Sequence, residues 1–258
     1  MPGGPYRIVQ FDRPLNSGVS DSWLLHLSAI AKYNEPGAAP YCLPNELICG
    51  EIGRFLGLPV PPGAIVNAPG NALATYWFAS LDFNLTGHSL PPVDVDDCVA
   101  RLPDLSTGLL LFDILVANCD RHPGNFAVDF LAGGGPLMSV FDHGHALFGF
   151  IDGQGGQRLT ALRDRLGASG GSVTTGNRHC LLDVVNTSDH FLKWLDRIAA
   201  LPDFFIEERC RSAVGLGIGD GEADAALDFL KYRRDNLRTV VNNHRPEFRS
   251  IAQWSLPT

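Results

Sequence analysis

Asn118-Cys119-Asp120-Arg121-His122-Pro123-Gly124-Asn125, followed further on by Phe141-Asp142-His143-Gly144, decides how this chain is read. Asp120 and Asn125 are separated by a Pro-Gly break, which removes a backbone donor and interrupts helical geometry, so the two cannot share a regular helix face. They lie on a loop. The segment before it, TGLLLFDILVANC, is apolar nearly all round, as expected of a buried helix. After it, FAVDFL and PLMSVFD flank Leu-Ala-Gly-Gly-Gly-Pro and read as two short strands joined by a Gly-rich turn. Such a hairpin returns Asp142 to the side of the loop. Two carboxylates and an amide converging there make a hard oxygen site of the kind that suits Mg²⁺ on nucleotide phosphates. Phosphoryl transfer uses those groups, one Asp toward the acceptor hydroxyl and an Asn with a second Asp toward the metal.

The rest of the composition narrows the classes open to the chain. Its 258 residues are 45% hydrophobic, enough for a sizeable core as one large domain or two lobes of one unit. A net charge of −8 and the lack of any Lys/Arg block argue against direct nucleic-acid binding. No run approaches the length of a spanning helix and the first residues lack a signal-peptide core, so a soluble, cytoplasmic protein with no membrane partner is expected. Six scattered cysteines without a C-x-x-C pair fit small buried hydrophobes better than disulfides or a zinc site.

Around the motif, WLLHL and SAIAKY are strand-length apolar runs. NELICGEIGRFLGL carries Leu47, Ile48, Ile52, Phe55 and Leu56 at near-helical spacing, with Asn45 expected as N-cap and Gly57 as the stop. LPVPPGAIV then reads as a return to extended chain. A break is expected near Ala68 to Leu90, around the aromatic patch ATYWFASLDF. From Gly149 to Gly176 glycine is frequent and a mobile loop with a short helix around TALRDRL is expected. DHFLKWLDRIAAL, FIEERCRSAVGLGI and EADAALDFLKYRRDNLRTVVNNH all carry helical periodicity, and Phe191 and Trp194 are expected in the core.

With these residues in view, D-R-H-P-G-N followed by F-D-H-G resembles the catalytic and metal-binding loops of HipA-like kinases, which share a D-x-H-x-x-N loop with phosphatidylinositol kinases. PNELICGEIGRFLGLPVP and ALDFLKYRRDNLR are similar to two further segments of HipA-like kinases, so most of the chain is covered. The resemblance implies an α+β, two-lobed protein-kinase-like fold. A strand-containing N-lobe would span residues 1–80 and a mainly helical C-lobe residues 81–258. It implies ATP and Mg²⁺, with Asp120 as catalytic base, His122 bracing the loop, and Asn125 and Asp142 as metal ligands. Glu46 would pair with Lys32 to hold the lysine on the nucleotide phosphates. Ser17, Gly18 and Ser20 would form a short phosphate-covering loop where ordinary kinases have G-x-G-x-x-G. The adenine is expected near Tyr76 to Asp82.

The resemblance further implies phosphorylation of a Ser/Thr hydroxyl on a protein, the chain itself included, and an antitoxin or other regulatory protein as a partner. Ser169, Ser172, Thr174 and Thr175 are the candidates for autophosphorylation. Two alternatives stay open: a small-molecule or lipid kinase on the same scaffold, and a nucleotide-binding pseudokinase, which the departure from the Gly-rich loop would fit. His143 and His145 suggest a transition metal only weakly, because no third soft ligand stands at a recognisable spacing.

Overall fold

The computed structural model describes residues 8–15, 22–68, 73–83, 91–130, 136–167 and 178–257. Its first elements are strands: β1 (Ile8–Leu15), β2 (Ser22–Leu27) and β3 (Ala29–Lys32), then helix α1 (Cys42–Phe55), β4 (Gly63–Asn67) and β5 (Tyr76–Leu81). β1 and β2 pair with each other as an antiparallel ribbon, exposed along its whole length. β5 is the centre of a second antiparallel sheet of order β3-β5-β4, in which Lys32 stands opposite Phe78. β2 runs into β3 through the single residue Ser28, whose hydroxyl donates to Asp82 at 3.2 Å while its carbonyl accepts from the Asp82 amide at 2.9 Å. That pair of hydrogen bonds ties the start of the Lys32 strand to the end of β5.

Helix α1 differs from its sequence reading at the N-terminus. It begins at Cys42, after a Tyr41 that makes no side-chain cap, so Asn45 is an interior residue, fully buried. Its amide donates to Gly144 O at 2.7 Å and its carbonyl accepts from Phe148 N at 3.2 Å. Asn45 therefore ties α1 to the segment following Asp142, a tertiary contact that outcompetes the local capping role. Gly57 ends the helix as expected, with φ of +79° and its amide donating to Arg54 O at 2.9 Å.

The second part is mainly helical: α2 (Val95–Arg101), α3 (Pro103–Leu115), the hairpin β6 (Phe126–Asp129) and β7 (Leu137–Val140), then α4 (Gly155–Leu162), α5 (Phe191–Ala199), α6 (Asp203–Ser212) and α7 (Asp220–Asn243). α3 is the core helix, buried from Ser106 through Leu115. Gly108 lets α5 approach it, since a Cβ there would come within 2.3 Å of the Trp194 ring. Phe191 and Trp194 are both fully buried, and the Trp194 indole donates to Asp104 at 3.1 Å.

Several boundaries move. α4 starts at Gly155, ahead of the TALRDRL segment, and α6 stops at Ser212 because Gly215 and Gly217 take positive φ in the turn bridged by Val214 and Ile218. Ser17, Gly18 and Ser20, and with them Ser169, Ser172, Thr174 and Thr175, lie outside the described residues. All six cysteines are free thiols, five of them buried, and burial pushes Cys42, Cys180 and Cys210 up to about 12. No helix of the described residues is long and apolar enough to cross a membrane.

Candidate active site

Three segments meet around Asp142, and each is positioned by a different element. β6 and β7 pair with Phe126 opposite Val140, which brings Phe141 beside Asn125; the Phe141 amide donates to Asn125 O at 3.4 Å. The hairpin thus carries Asp142 back beside the loop that follows α3. Asp142 adopts φ of +62°, a conformation rare for a residue with a Cβ and tolerated best by Asn and Asp. Strain of this kind concentrates at functional positions.

Lys32, at the end of β3, reaches both carboxylates. Its Nζ lies 2.7 Å from Glu46 Oε1 on α1 and 2.8 Å from Asp142 Oδ1. Burial alone would lower the Lys32 ammonium, but the Glu46 and Asp142 carboxylates outweigh it and hold the pKa above the ordinary lysine range. Burial likewise works against a charged Glu46, yet Lys32 and His143 bring its carboxyl down to about 2. Glu46 is shared, because its other oxygen, Oε2, lies 3.3 Å from His143 Nδ1. An ionised carboxylate can only accept, so Nδ1 carries a proton; Nε2 is the other polar atom of the ring. That Nε2 is buried and has no hydrogen-bond partner among the described residues.

The loop itself is braced from within. Asn118 accepts from the Asp120 amide at 3.1 Å, His122 Nδ1 accepts from the Gly124 amide at 3.0 Å, and the Asn125 side-chain amide donates to Asp120 O at 2.8 Å. That last bond uses the nitrogen of Asn125, and its oxygen has no hydrogen-bond partner among the described residues. Asp120 Oδ2 lies 3.1 Å from His145 Nδ1, which must donate for the same reason as His143. Burial would raise the Asp120 carboxyl; the bond and charge of His145 overcome this and lower it, so Asp120 is ionised at neutral pH. The bond to Asp120 in turn raises His145. His143 and His145 therefore serve different carboxylates and do not converge on a common point.

Beneath the loop is a polar centre that the motif does not announce. Arg121 is fully buried and grips Asp113 of α3 with two bonds, Nε to Oδ2 at 2.8 Å and Nη2 to Oδ1 at 3.1 Å. Its Nη1 donates to Asn125 O and, at 2.6 Å, to Phe141 O. One guanidinium thus ties the core helix to the carbonyls beside both presumed metal ligands. Asp113 also takes His179 Nε2 at 3.0 Å and the Asn118 amide at 2.9 Å. His179 Nδ1 accepts from the Leu181 amide at 3.2 Å, which fixes the proton on Nε2. Although burial opposes its charge, the Arg121 guanidinium holds the Asp113 carboxyl far below the usual carboxylate range. The one sequence signal is Asp113 itself, an acid set inside the apolar run from Gly108 to Leu115.

Lys32, Glu46, Asp142 and His143 edge a cavity of about 210 Å³, whose remaining wall is largely apolar, with Ile30 and Phe78 among its lining. Ser80, Asp82 and Phe83, at the end of β5, line it too, so the segment expected near the adenine does face a cavity. The donors fit Mg²⁺ with a nucleotide. Asp142 and Asn125 offer oxygen only, and the half-exposed Asp142 carboxylate stands beside a cation. Among the described residues no three His, Cys, Asp or Glu side chains gather into an all-protein cage. Mg²⁺ needs none, since it is usually held by one or two carboxylates together with phosphate and water.

No family model matches the chain and no curated protein matches it. Among solved structures, the Helicobacter pylori proinflammatory kinase CtkA superposes with a TM-score of 0.54 over 90% of this chain and 95% of that one, at 14% identity. HipA of Shewanella oneidensis MR-1, from a complex with HipB and operator DNA, aligns over 95% of this chain and 68% of that one at 16% identity, with a TM-score of 0.48. The likeness to CtkA, over nearly the whole of both chains, shows the fold: a two-lobed kinase-like architecture in which a small strand-bearing lobe stands over a mainly helical one.

Proposed function

We propose that the chain is an ATP- and Mg²⁺-dependent kinase that phosphorylates a Ser or Thr hydroxyl of a protein. The observation that carries this reading is Lys32 held between Glu46 at 2.7 Å and Asp142 at 2.8 Å, on the rim of an apolar cavity. An ammonium placed there is a ready partner for nucleotide phosphates, and the apolar wall suits a purine ring. In this reading Asp142 and Asn125 hold Mg²⁺, which would neutralise charge on the phosphates. Asp120 takes the proton of the acceptor hydroxyl. The hydroxyl oxygen forms its bond to the γ-phosphorus, the bond from that phosphorus to the β–γ bridging oxygen breaks, and ADP leaves. His145 holds Oδ2 of Asp120, leaving the other oxygen to face the acceptor. His122 supports the loop without touching the reacting atoms.

The test is incubation with Mg²⁺ and γ-labelled ATP, alone and with a cell lysate. Wild type is expected to transfer label to protein. Lys32→Ala removes a charge-assisted bond of roughly 1.5–3 kcal/mol, so its kcat/KM for ATP is expected to fall about ten- to a hundredfold. A wild-type chain that neither binds ATP nor transfers label would refute the reading.

A further inference from the structure

A second cavity, of about 560 Å³, shares no lining residue with the first. It lies close to the presumed base. Cys119, in its wall, directly precedes Asp120, and Phe150, also in its wall, packs its ring 5.7 Å from that of His145, the partner of Asp120. It reaches solvent at Ile151 and Arg165, both exposed.

Its charge is out of keeping with the molecule. In a chain of net charge −8, the titratable groups of this wall besides the Cys119 thiol are Arg158, Arg165, His244 and Glu247. The lone carboxylate is already engaged, since Glu247 Oε2 lies 2.6 Å from Arg178. Arg158 spends its protons on neutral acceptors: Leu147 O, Ala117 O at 2.8 Å and Cys119 Sγ at 3.5 Å. It makes no ion pair among the described residues, and neither does Arg165. Behind the wall, the only acceptors of buried Arg233 among the described residues are the carbonyls of Ile114, Leu162 and Arg165. Buried cations without carboxylate partners are costly, and a concave site lined by one sign of charge concentrates the opposite ion. Guanidinium groups also match carboxylate and phosphate oxygens better than ammonium does.

We propose that this cavity is the acceptor site and that it selects an acidic segment, in which a carboxylate or phosphate near the target hydroxyl seats against Arg165 in the field of Arg158. This rests on the kinase reading and adds the chemistry of the acceptor. The apolar part of the wall, Phe148, Phe150 and Leu166, receives the flanking chain.

Two labelled serine peptides of equal length test it, one flanked by Asp and Glu and the other by Asn and Gln. Binding is followed by fluorescence anisotropy and phosphorylation by transfer from γ-labelled ATP. The acidic peptide is expected to bind about tenfold more tightly, the worth of one charge-assisted hydrogen bond, and to be phosphorylated with a correspondingly higher kcat/KM. Arg165→Glu and Arg165→Gln, at an exposed position, are expected to abolish that preference with MgATP affinity unchanged. Equal binding of the two peptides by wild type, or a preference that survives in both variants, would overturn the assignment. Failure of the kinase reading looks different: no MgATP binding and no label on either peptide, whatever the anisotropy reports.

Discussion

Asp120→Asn is expected to lower kcat for phosphoryl transfer by roughly 10²–10⁴-fold, the usual contribution of a positioned general base. The substitution keeps the volume of the side chain and replaces one acceptor oxygen with an amide. The loop should survive it, because the bonds that shape it run through Asn118, the Gly124 amide and the Asp120 carbonyl. Steady-state kinetics on wild type and variant, with MgATP affinity measured separately, make the check. A fall in kcat with affinity retained is the expected outcome. Equal rates would remove Asp120 from the chemistry, and a loss confined to nucleotide affinity would reassign it to binding.

Asp113→Ala should produce the largest loss of stability of any single change near the cleft. It leaves the fully buried Arg121 guanidinium without its carboxylate and frees the Asn118 and His179 donors at the same time. Breaking one side of a buried ion pair typically costs about 3–5 kcal/mol, because the remaining charge stays out of water. Chemical denaturation should report that difference; a change below about 1 kcal/mol would mean that Arg121 finds another partner or reaches solvent. The same pair sets a pH dependence. Asp113 and Glu46 have folded-state pKa values depressed below ordinary carboxylates, Glu46 to about 2. Their contributions are present in full above the ordinary carboxylate pKa of about 4 and are lost as pH falls through the folded values. Asp113→Ala should therefore lose less, relative to wild type, as the medium is acidified below pH 4.

What could be read from the sequence was what is settled locally. Asp120, Pro123, Gly124 and Asn125 are close in the chain and their turn chemistry is explicit, and the strand–turn–strand pattern after them placed Asp142. α3 and α7 were legible because their apolar pattern is long. Asn45 misled because a polar residue ahead of an apolar helical run is ordinarily a cap, whereas here Gly144 and Phe148, remote in sequence, claim its side chain. The triad of Asp113, Arg121 and His179 was hidden for the same reason, since its members meet only in the folded core. β5, with its Trp77-Phe78 aromatics, reads as little more than an apolar patch until its partners are known, although it is the central strand. α2 is short, and its start depends on Asp94 accepting the Asp97 amide at 3.0 Å, a signal easily taken for a polar turn.

The central claim is that Lys32, Glu46, Asn125 and Asp142 form a site for a nucleotide with Mg²⁺. Calorimetric titration with ATP, with and without Mg²⁺, tests it on wild type and on Asp142→Ala. The expected result is one site per chain whose affinity rises with Mg²⁺ in wild type, with that rise absent from the variant. ATP binding that is indifferent to Mg²⁺ in wild type, or a Mg²⁺ effect undiminished in Asp142→Ala, would contradict it.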